Sequence, residues 1–342
     1  MKTRLVVIGP SSTHVDRFIG LVIDFYDEVI YIGEKELETE HKIKQYIINF
    51  RSKNIFSLLK NRRKLAEILA NERPVLVHIQ QINRVAFIAK GVLKKLNINY
   101  VATAWGSDVL LIPNKNRIYK KMTQSVLNSA AAITVDSAEM IQTVRQLTKN
   151  PTISIVFFGI KPIGNHPKEK LIFSNRALYP IYRIENIIIE FSEFHRCHLD
   201  FRLVIAGTGP EEPKLRSLVK ELRLDDFVDF VGWLKEDENN NYYKRALIYV
   251  SLPISDGTSV SLLEAMSAGC IPVVADLAVS HEWIETDRNG VIKSDQENSF
   301  ELATQLDQDL VANINSKIIC DRATSEIASQ KLKEIHLKLI ND

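Results

Sequence analysis

From Ser251 to Asp276 the chain reads SLPISDGTSVSLLEAMSAGCIPVVAD, and this stretch leaves few ways to fold. It begins as a strand end, turns through Asp256-Gly257-Thr258-Ser259 and continues as a helix over 260–268. Gly269 stops the helix, Pro272 prevents its resumption, and Val273-Val274-Ala275 reads as the next buried strand. The turn also carries chemistry. A Gly-containing turn feeding a helix N-terminus presents free N–H groups and the positive end of the helix dipole, which suits a phosphate. Asp256 and Glu264 bracket it. An acid two turns into a helix, beside Leu262, Leu263 and Met266, is a poor choice for packing and a good one for binding hydroxyls.

The same alternation runs through the chain. Apolar strands at 5–8, 29–32, 75–79, 100–104 and 132–135 are separated by helical patterns, notably 85–96 and 115–129, and Val156 to Ile160 completes the first half. Residues 161–169, with Pro162, Gly164 and Pro167, are polar and turn-rich and read as a linker. A second half repeats the pattern, with strands at 172–174, 201–206, 228–231 and 248–252 and helices at 184–196, 211–222 and 241–246. Strand–helix alternation predicts parallel sheets covered on both faces. A length of 342 residues is long for one core and predicts two domains. We place them at 1–161 and 162–325, with a C-terminal helix over 326–342 crossing back to the first.

Charge is unevenly spread. Residues 1–170 hold 26 Lys and Arg against 14 Asp and Glu, whereas the remainder holds 18 against 28. A basic half joined to an acidic half predicts that the first half meets something anionic. Nucleic acid would need a denser basic stripe with interleaved aromatics. Residues 41–69 read as helical and strongly basic: Lys42, Lys44, Arg51, Lys53, Lys60, Arg62, Arg63 and Lys64 alternate with Ile43, Ile47, Ile48, Phe56, Leu59, Leu65 and Ile68. Such a segment is either a solvated helix on the sheet or a surface for anionic membrane. Three scattered cysteines exclude a disulfide framework and a zinc site, and point to a reducing cytoplasm. The apolar run at the N-terminus is too short for a signal peptide, and no window reaches the ~20 apolar residues of a membrane span.

Several loops at strand ends hold candidate ligands. Gly9-Pro10-Ser11-Ser12 leads into a helix through His14, without the G-x-G-x-x-G of a dinucleotide site. His78, Trp105 and Asp108 stand at or just after strand ends. In the second half Arg176 follows a strand, Gly207-Thr208-Gly209-Pro210 is either a plain turn or a loop whose glycines let backbone approach a ligand, and Val231-Gly232-Trp233 closes another strand.

Taken together, these residues resemble the retaining nucleotide-sugar glycosyltransferases of family 4. That family's signature has two acids flanking seven residues, then Ala-Met and Gly-x-Pro; here they are Asp256, Glu264, Ala265-Met266, Gly269 and Pro272. Further landmarks fall in the family's order: the loop 207–210, Val231-Gly232-Trp233, Gly159-Ile160, Gly106-x-Asp108, Glu282-Trp283-Ile284 and Asn289-Gly290. The chain departs from the pattern in four places. The first acid is Asp rather than Glu, Tyr182-Arg183 replaces Lys-Gly, Trp105 replaces a frequent His, and His78-Ile79-Gln80 replaces His-x-His.

The resemblance implies an α/β chain of two Rossmann-like, doubly wound domains facing across a cleft, the GT-B fold. It implies a hexosyltransferase that takes sugar from a UDP- or GDP-linked donor and passes it, with retention, to a glycan or lipid-linked acceptor in bacterial polysaccharide or lipopolysaccharide assembly. Asp256 and Glu264 would be catalytic, with Glu264 also accepting the ribose hydroxyls. Arg176, Arg183, Gly207, Gly209, Val231, Trp233, Gly257, Thr258, Ser259 and Val260 would line the donor. Ser11, His14, His78, Trp105 and Asp108 would face the acceptor. No metal or cofactor beyond the nucleotide sugar is expected, and the place of action is the cytoplasm or the inner face of its membrane, with peripheral contact to anionic lipid. The alternatives are a nucleotide-sugar 2-epimerase of the same fold and a silent sugar-nucleotide-binding protein.

Overall fold

A buried parallel strand needs apolar side chains on both faces, and Leu5-Val6-Val7-Ile8 supplies them, all four fully buried. This strand lies inside the first sheet in the computed structural model, which describes residues 2–50, 54–294 and 297–341. The strands of the first unit are β1 (Arg4–Ile8), β2 (Glu28–Gly33), β3 (Lys44–Ile47), β4 (Leu76–Gln80), β5 (Tyr100–Thr103), β6 (Ala132–Val135) and β7 (Ile153–Ile155). They pair in parallel in the order β3-β2-β1-β4-β5-β6-β7. One face is covered by the helices Ile55–Glu72, Arg84–Leu96, Arg117–Leu127 and Ala138–Leu147. The other carries Thr13–Val22 and the last helix, Ser325–Asn341.

The second unit has β8 (Glu169–Ser174), β9 (Arg202–Ala206), β10 (Val228–Gly232), β11 (Ala246–Ser251), β12 (Ile271–Val274) and β13 (Val291–Ile292). Their order, β10-β9-β8-β11-β12-β13, is again all parallel. In both sheets the chain winds outward one way from the first strand and then the other way from its opposite edge, the doubly wound arrangement. Residues up to Gly159, with Ser325–Asn341, make one unit; Ile160 to Thr324 make the other. The final helix is tied to the first unit by Ser329 Oγ donating to the Leu21 carbonyl at 2.7 Å and by Tyr26 Oη meeting His336 Nδ1 at 2.9 Å.

Three expectations are corrected. The basic segment at 41–69 is not one helix: Lys44–Ile47 is the edge strand β3, and the helix begins at Ile55. Lys44–Ile47 pairs in parallel with Ile30–Gly33 of β2, and just beyond it Ile48 and Phe50 are buried around an exposed Asn49. Arg51 and Lys53 lie outside the described residues. The strand closing the first half is Ile153–Ile155, just before the apolar run at 156–160. The helix placed at 241–246 runs from Glu236 to Arg245, because acids at its start and Lys244-Arg245 at its end suit the helix dipole. The linker, too, is fastened down. Lys168 donates to the carbonyls of Tyr243 (2.9 Å) and Ala268 (2.6 Å), near the carboxyl ends of two helices.

Candidate functional site

Sheet order reverses between β8 and β11, and loops leaving two such strands diverge to leave a crevice beyond their carboxyl ends. Arg176 follows β8 and Asp256 follows β11, one from each side of that point. The Arg176 guanidinium donates to Asp256 Oδ2 at 2.7 Å and to Ser259 Oγ at 2.6 Å, and lies 4.4 Å from the centroid of the Tyr182 ring. The two charged side chains are only 11% and 23% exposed. Burial opposes the charge on Arg176, but Asp256 beside it and the nearby tyrosines outweigh this, so its pKa is raised and it stays cationic. Burial pushes Asp256 up from the usual carboxylate value, while Arg176 and the Gly257 N–H hold it down.

Ser259 caps the helix Val260–Ser267, accepting from Leu262 N at 3.4 Å. Gly257 and Thr258 are buried in the turn, where Thr258 Oγ1 accepts from Trp283 Nε1 at 3.3 Å. Glu264 stands half-buried in the second turn of the same helix. Burial first, and then the charge of Glu264, raise the pKa of Tyr243, whose Oη lies 2.6 Å from Asn175 Nδ2. Asn175 and Tyr243 escaped the sequence reading. Asn175 adjoins Arg176 and could have been noticed; Tyr243 arrives on another helix and gave no signal.

The glycine loop packs closely on the backbone that carries Arg176. At Gly207, with φ of +121°, a Cβ would stand 2.6 Å from the Arg176 carbonyl, and at Gly209 2.3 Å from that of Leu178. Both glycines let this loop press against the backbone carrying Arg176, with Leu178 N donating to the Thr208 carbonyl at 3.0 Å. Gly207 N in turn donates to the Gly232 carbonyl at 2.7 Å, which brings the end of β10 alongside. Val231 is half-buried there, and Trp233 is 67% exposed. Arg183 is exposed at φ +50° ahead of the helix Ile184–His195 and takes no part in the Arg176–Asp256–Ser259 cluster.

In the first unit the structure gathers some expected residues and removes others. His14 and Trp105 meet with ring centroids 5.3 Å apart, and Phe158, not foreseen, lies 4.8 Å from His14 and 5.9 Å from Trp105. Trp105 Nε1 donates to Gln80 Oε1 at 3.1 Å, and Ser11 Oγ to the Glu36 carbonyl at 2.8 Å. His78 is corrected: it is fully buried, its Nδ1 2.9 Å from His336 Nε2 and its Nε2 2.6 Å from Thr103 Oγ1. Burial first, and His336 second, push its pKa well below the usual value. It holds the last helix rather than facing a ligand. Asp108 is corrected likewise: buried, it accepts from Ile82 N at 2.7 Å and Trp105 N at 3.0 Å. Burial raises its pKa to about 6 against those hydrogen bonds. Among the described residues no group of three or more His, Cys, Asp or Glu is arranged to hold a metal, and no helix is long and apolar enough to cross a membrane.

A family model for glycosyl transferases group 1 matches residues 139–317, and one for glycosyl transferase 4-like domains matches residues 11–137. The chain belongs to the group 1 glycosyl transferases. Among group 1 relatives, an alpha-monoglucosyldiacylglycerol synthase of Acholeplasma laidlawii is 21% identical over 162 residues, 46% of this chain and 41% of that protein. The chain thus covers less than half of that relative's length. An uncharacterized glycosyltransferase of Haemophilus influenzae is 24% identical over 285 residues, 79% of this chain and 76% of that one. The crystal structure of Anabaena HepE in complex with UDP and glucose superposes with a TM-score of 0.84 at 12% identity, covering 98% of this chain and 100% of that one. The likeness shows that this group 1 chain has the two-domain α/β fold called GT-B.

Proposed function

We propose that the chain moves a hexosyl unit, with retention, from a UDP- or GDP-linked sugar to a glycan or lipid-linked acceptor in bacterial cell-surface polysaccharide or lipopolysaccharide assembly. The observation that carries this is the Arg176–Asp256–Ser259 cluster at the switch point, set at a helix N-terminus with Glu264 in the same helix. A cation gathered at a helix N-terminus suits a departing diphosphate, and flanking carboxylates suit sugar hydroxyls. A solved structure of the same fold fits this donor class: HepE was crystallised with UDP and glucose.

On this reading the anomeric C1–O bond to the diphosphate breaks as the acceptor oxygen bonds to C1 on the same face. The acceptor's proton passes to the departing phosphate oxygen. Arg176 and the N–H groups of Gly257 to Val260 stabilise the charge gathering on the diphosphate, with Arg183 as a second cation. Asp256 binds sugar hydroxyls and stabilises positive charge near C1, while Glu264 takes the ribose hydroxyls. The backbone at Gly207, Gly209, Val231 and Trp233 meets the nucleobase side. His14, Trp105 and Ser11 serve the acceptor at the cytoplasmic membrane face. Diphosphate charge is met by protein groups, and no metal is required.

Glu264→Gln keeps the size and loses the charge. We expect transfer from nucleotide sugar to a membrane-fraction acceptor to drop by about 10² or more in kcat/KM, with the fold unchanged by circular dichroism. Turnover like that of the wild type would refute the site. Release of an epimerised sugar from donor alone would instead support a 2-epimerase.

A further inference from the structure

Crossover helices between parallel strands start at the strands' carboxyl edge, so neighbouring crossovers bring their first turns to one side. In the first unit, Ile55–Glu72, Arg84–Leu96 and Arg117–Leu127 lie side by side. Lys90 of the second donates to Ser125 of the third, and the Arg62 guanidinium of the first lies 3.1 Å from where a Cβ on Gly91 would stand. Their opening turns expose large apolar side chains: Phe56 (78%), Ile118 (71%), Leu59 (55%), Tyr119 (44%) and Phe87 (37%). Single exposed apolar residues are ordinary. Five at the same end of three adjacent helices form a patch.

The surroundings of the patch are cationic. None of the three helices has an acid in its first turn, and residues 109–135 contain Lys115, Arg117, Lys120 and Lys121 and no acid; Glu67 and Glu72 lie toward the far end of the first helix. Lys115, Arg117, Lys120 and Lys121 are exposed around Ile118 and Tyr119, and Lys60 adjoins Leu59. Three helix N-termini add their positive dipole ends. Apolar side chains among exposed cations, with no acid in the three opening turns, match a bilayer interface in which hydrocarbon lies beneath anionic headgroups.

We propose that this end of the first unit docks on a bilayer bearing anionic lipid, with Phe56, Leu59, Ile118 and Tyr119 entering the interface and Lys115, Arg117, Lys120 and Lys121 meeting phosphate groups. This deepens the acceptor side of the function proposed above by naming the surface. The expected membrane segment at 41–69 contributes only its helical part, and 117–121, which the sequence did not single out, contributes as much.

The test is co-sedimentation of the whole chain with vesicles of phosphatidylcholine alone and with a third phosphatidylglycerol, at low and high salt. We expect binding to the anionic vesicles, weakened by salt, and little to the neutral ones. The double variant Phe56→Ser/Ile118→Ser should bind at least about 10-fold more weakly, and Lys120→Glu/Lys121→Glu about 20-fold or more. All four residues are exposed, so unfolding temperatures should match the wild type. No binding to anionic vesicles, equal binding to both kinds, or undiminished binding by the variants would overturn the proposal. The assay uses neither donor nor acceptor, so its failure leaves the donor site standing, and an inactive donor site leaves the docking surface standing.

Discussion

At the scale of single residues, Arg176 and Asp108 show two ways in which a buried charged group is held. Arg176 is buried with its partners at a crevice and keeps its charge. Replacing it with Met removes the cation and leaves Asp256 without its partner, which costs about 3 kcal/mol or more when a buried pair is broken. Because Asp256 is partly exposed, we expect a smaller loss of stability, about 1–2 kcal/mol, together with a loss of nucleoside-diphosphate affinity of at least about 10-fold by calorimetry. Unchanged affinity would remove Arg176 from the donor site. Asp108 offers both oxygens to backbone N–H groups of two loops. Asp108→Asn turns one acceptor into a donor facing an N–H, so about 1–3 kcal/mol of stability should be lost. A thermal melt checks this, and an unchanged melting temperature would show that the two loops hold without it. The signature acids were legible in the sequence because spacing alone put them on one turn and one helix. Asp108 was misassigned because a buried acid that holds loops and an exposed acid that binds ligand look alike in one dimension.

Among elements, the last helix and the glycine loop carry the sharpest consequences. A buried chain of Tyr26, His336, His78 and Thr103 fastens Ser325–Asn341 to the first sheet. Burial lowers the pKa of His336 to about 4 from its ordinary 6.5. The unfolded histidine therefore takes up a proton below about pH 6.5 while the folded one does not, and stability falls as pH drops toward 4. The loss reaches about 3 kcal/mol at pH 4 for this group alone. Melting temperatures measured from pH 7.5 to 4.5 should fall, and His336→Gln should flatten part of that fall. Identical profiles for the two proteins would contradict it. At Gly209, an alanine Cβ would meet the Leu178 carbonyl at 2.3 Å. Gly209→Ala should force the two loops apart, cost about 1–3 kcal/mol, and weaken nucleotide binding by displacing Arg176; a variant as stable as the wild type would show that the loops yield. The alternation of strands and helices was legible because its periods differ. The edge strand β3 was not, because its four residues, Lys44 to Ile47, are exposed or half-buried and run into a basic helical segment without a strand-like alternation of their own. His78 was misread because the helix that buries it lies 258 residues further along the chain.

On the scale of the whole molecule, two parallel sheets share one winding, and each places its loops beyond the carboxyl ends of its central strands. In the second unit those loops and the helix they lead into hold a fixed cation, a capped helix start and two acids. If these groups alone meet the diphosphate, transfer activity should survive EDTA unchanged, and activity abolished by EDTA and restored by Mg²⁺ or Mn²⁺ would refute metal independence. The central claim is that this site binds a nucleoside diphosphate through the cluster around Arg176 and Glu264. Calorimetric titration of UDP and of GDP into the wild type and into Glu264→Gln tests it most directly. The account predicts one saturable site per chain for one of the two nucleotides, weakened at least about 10-fold in the variant, or ~1.4 kcal/mol. Binding of neither nucleotide to the wild type, or equal binding to both proteins, would contradict it.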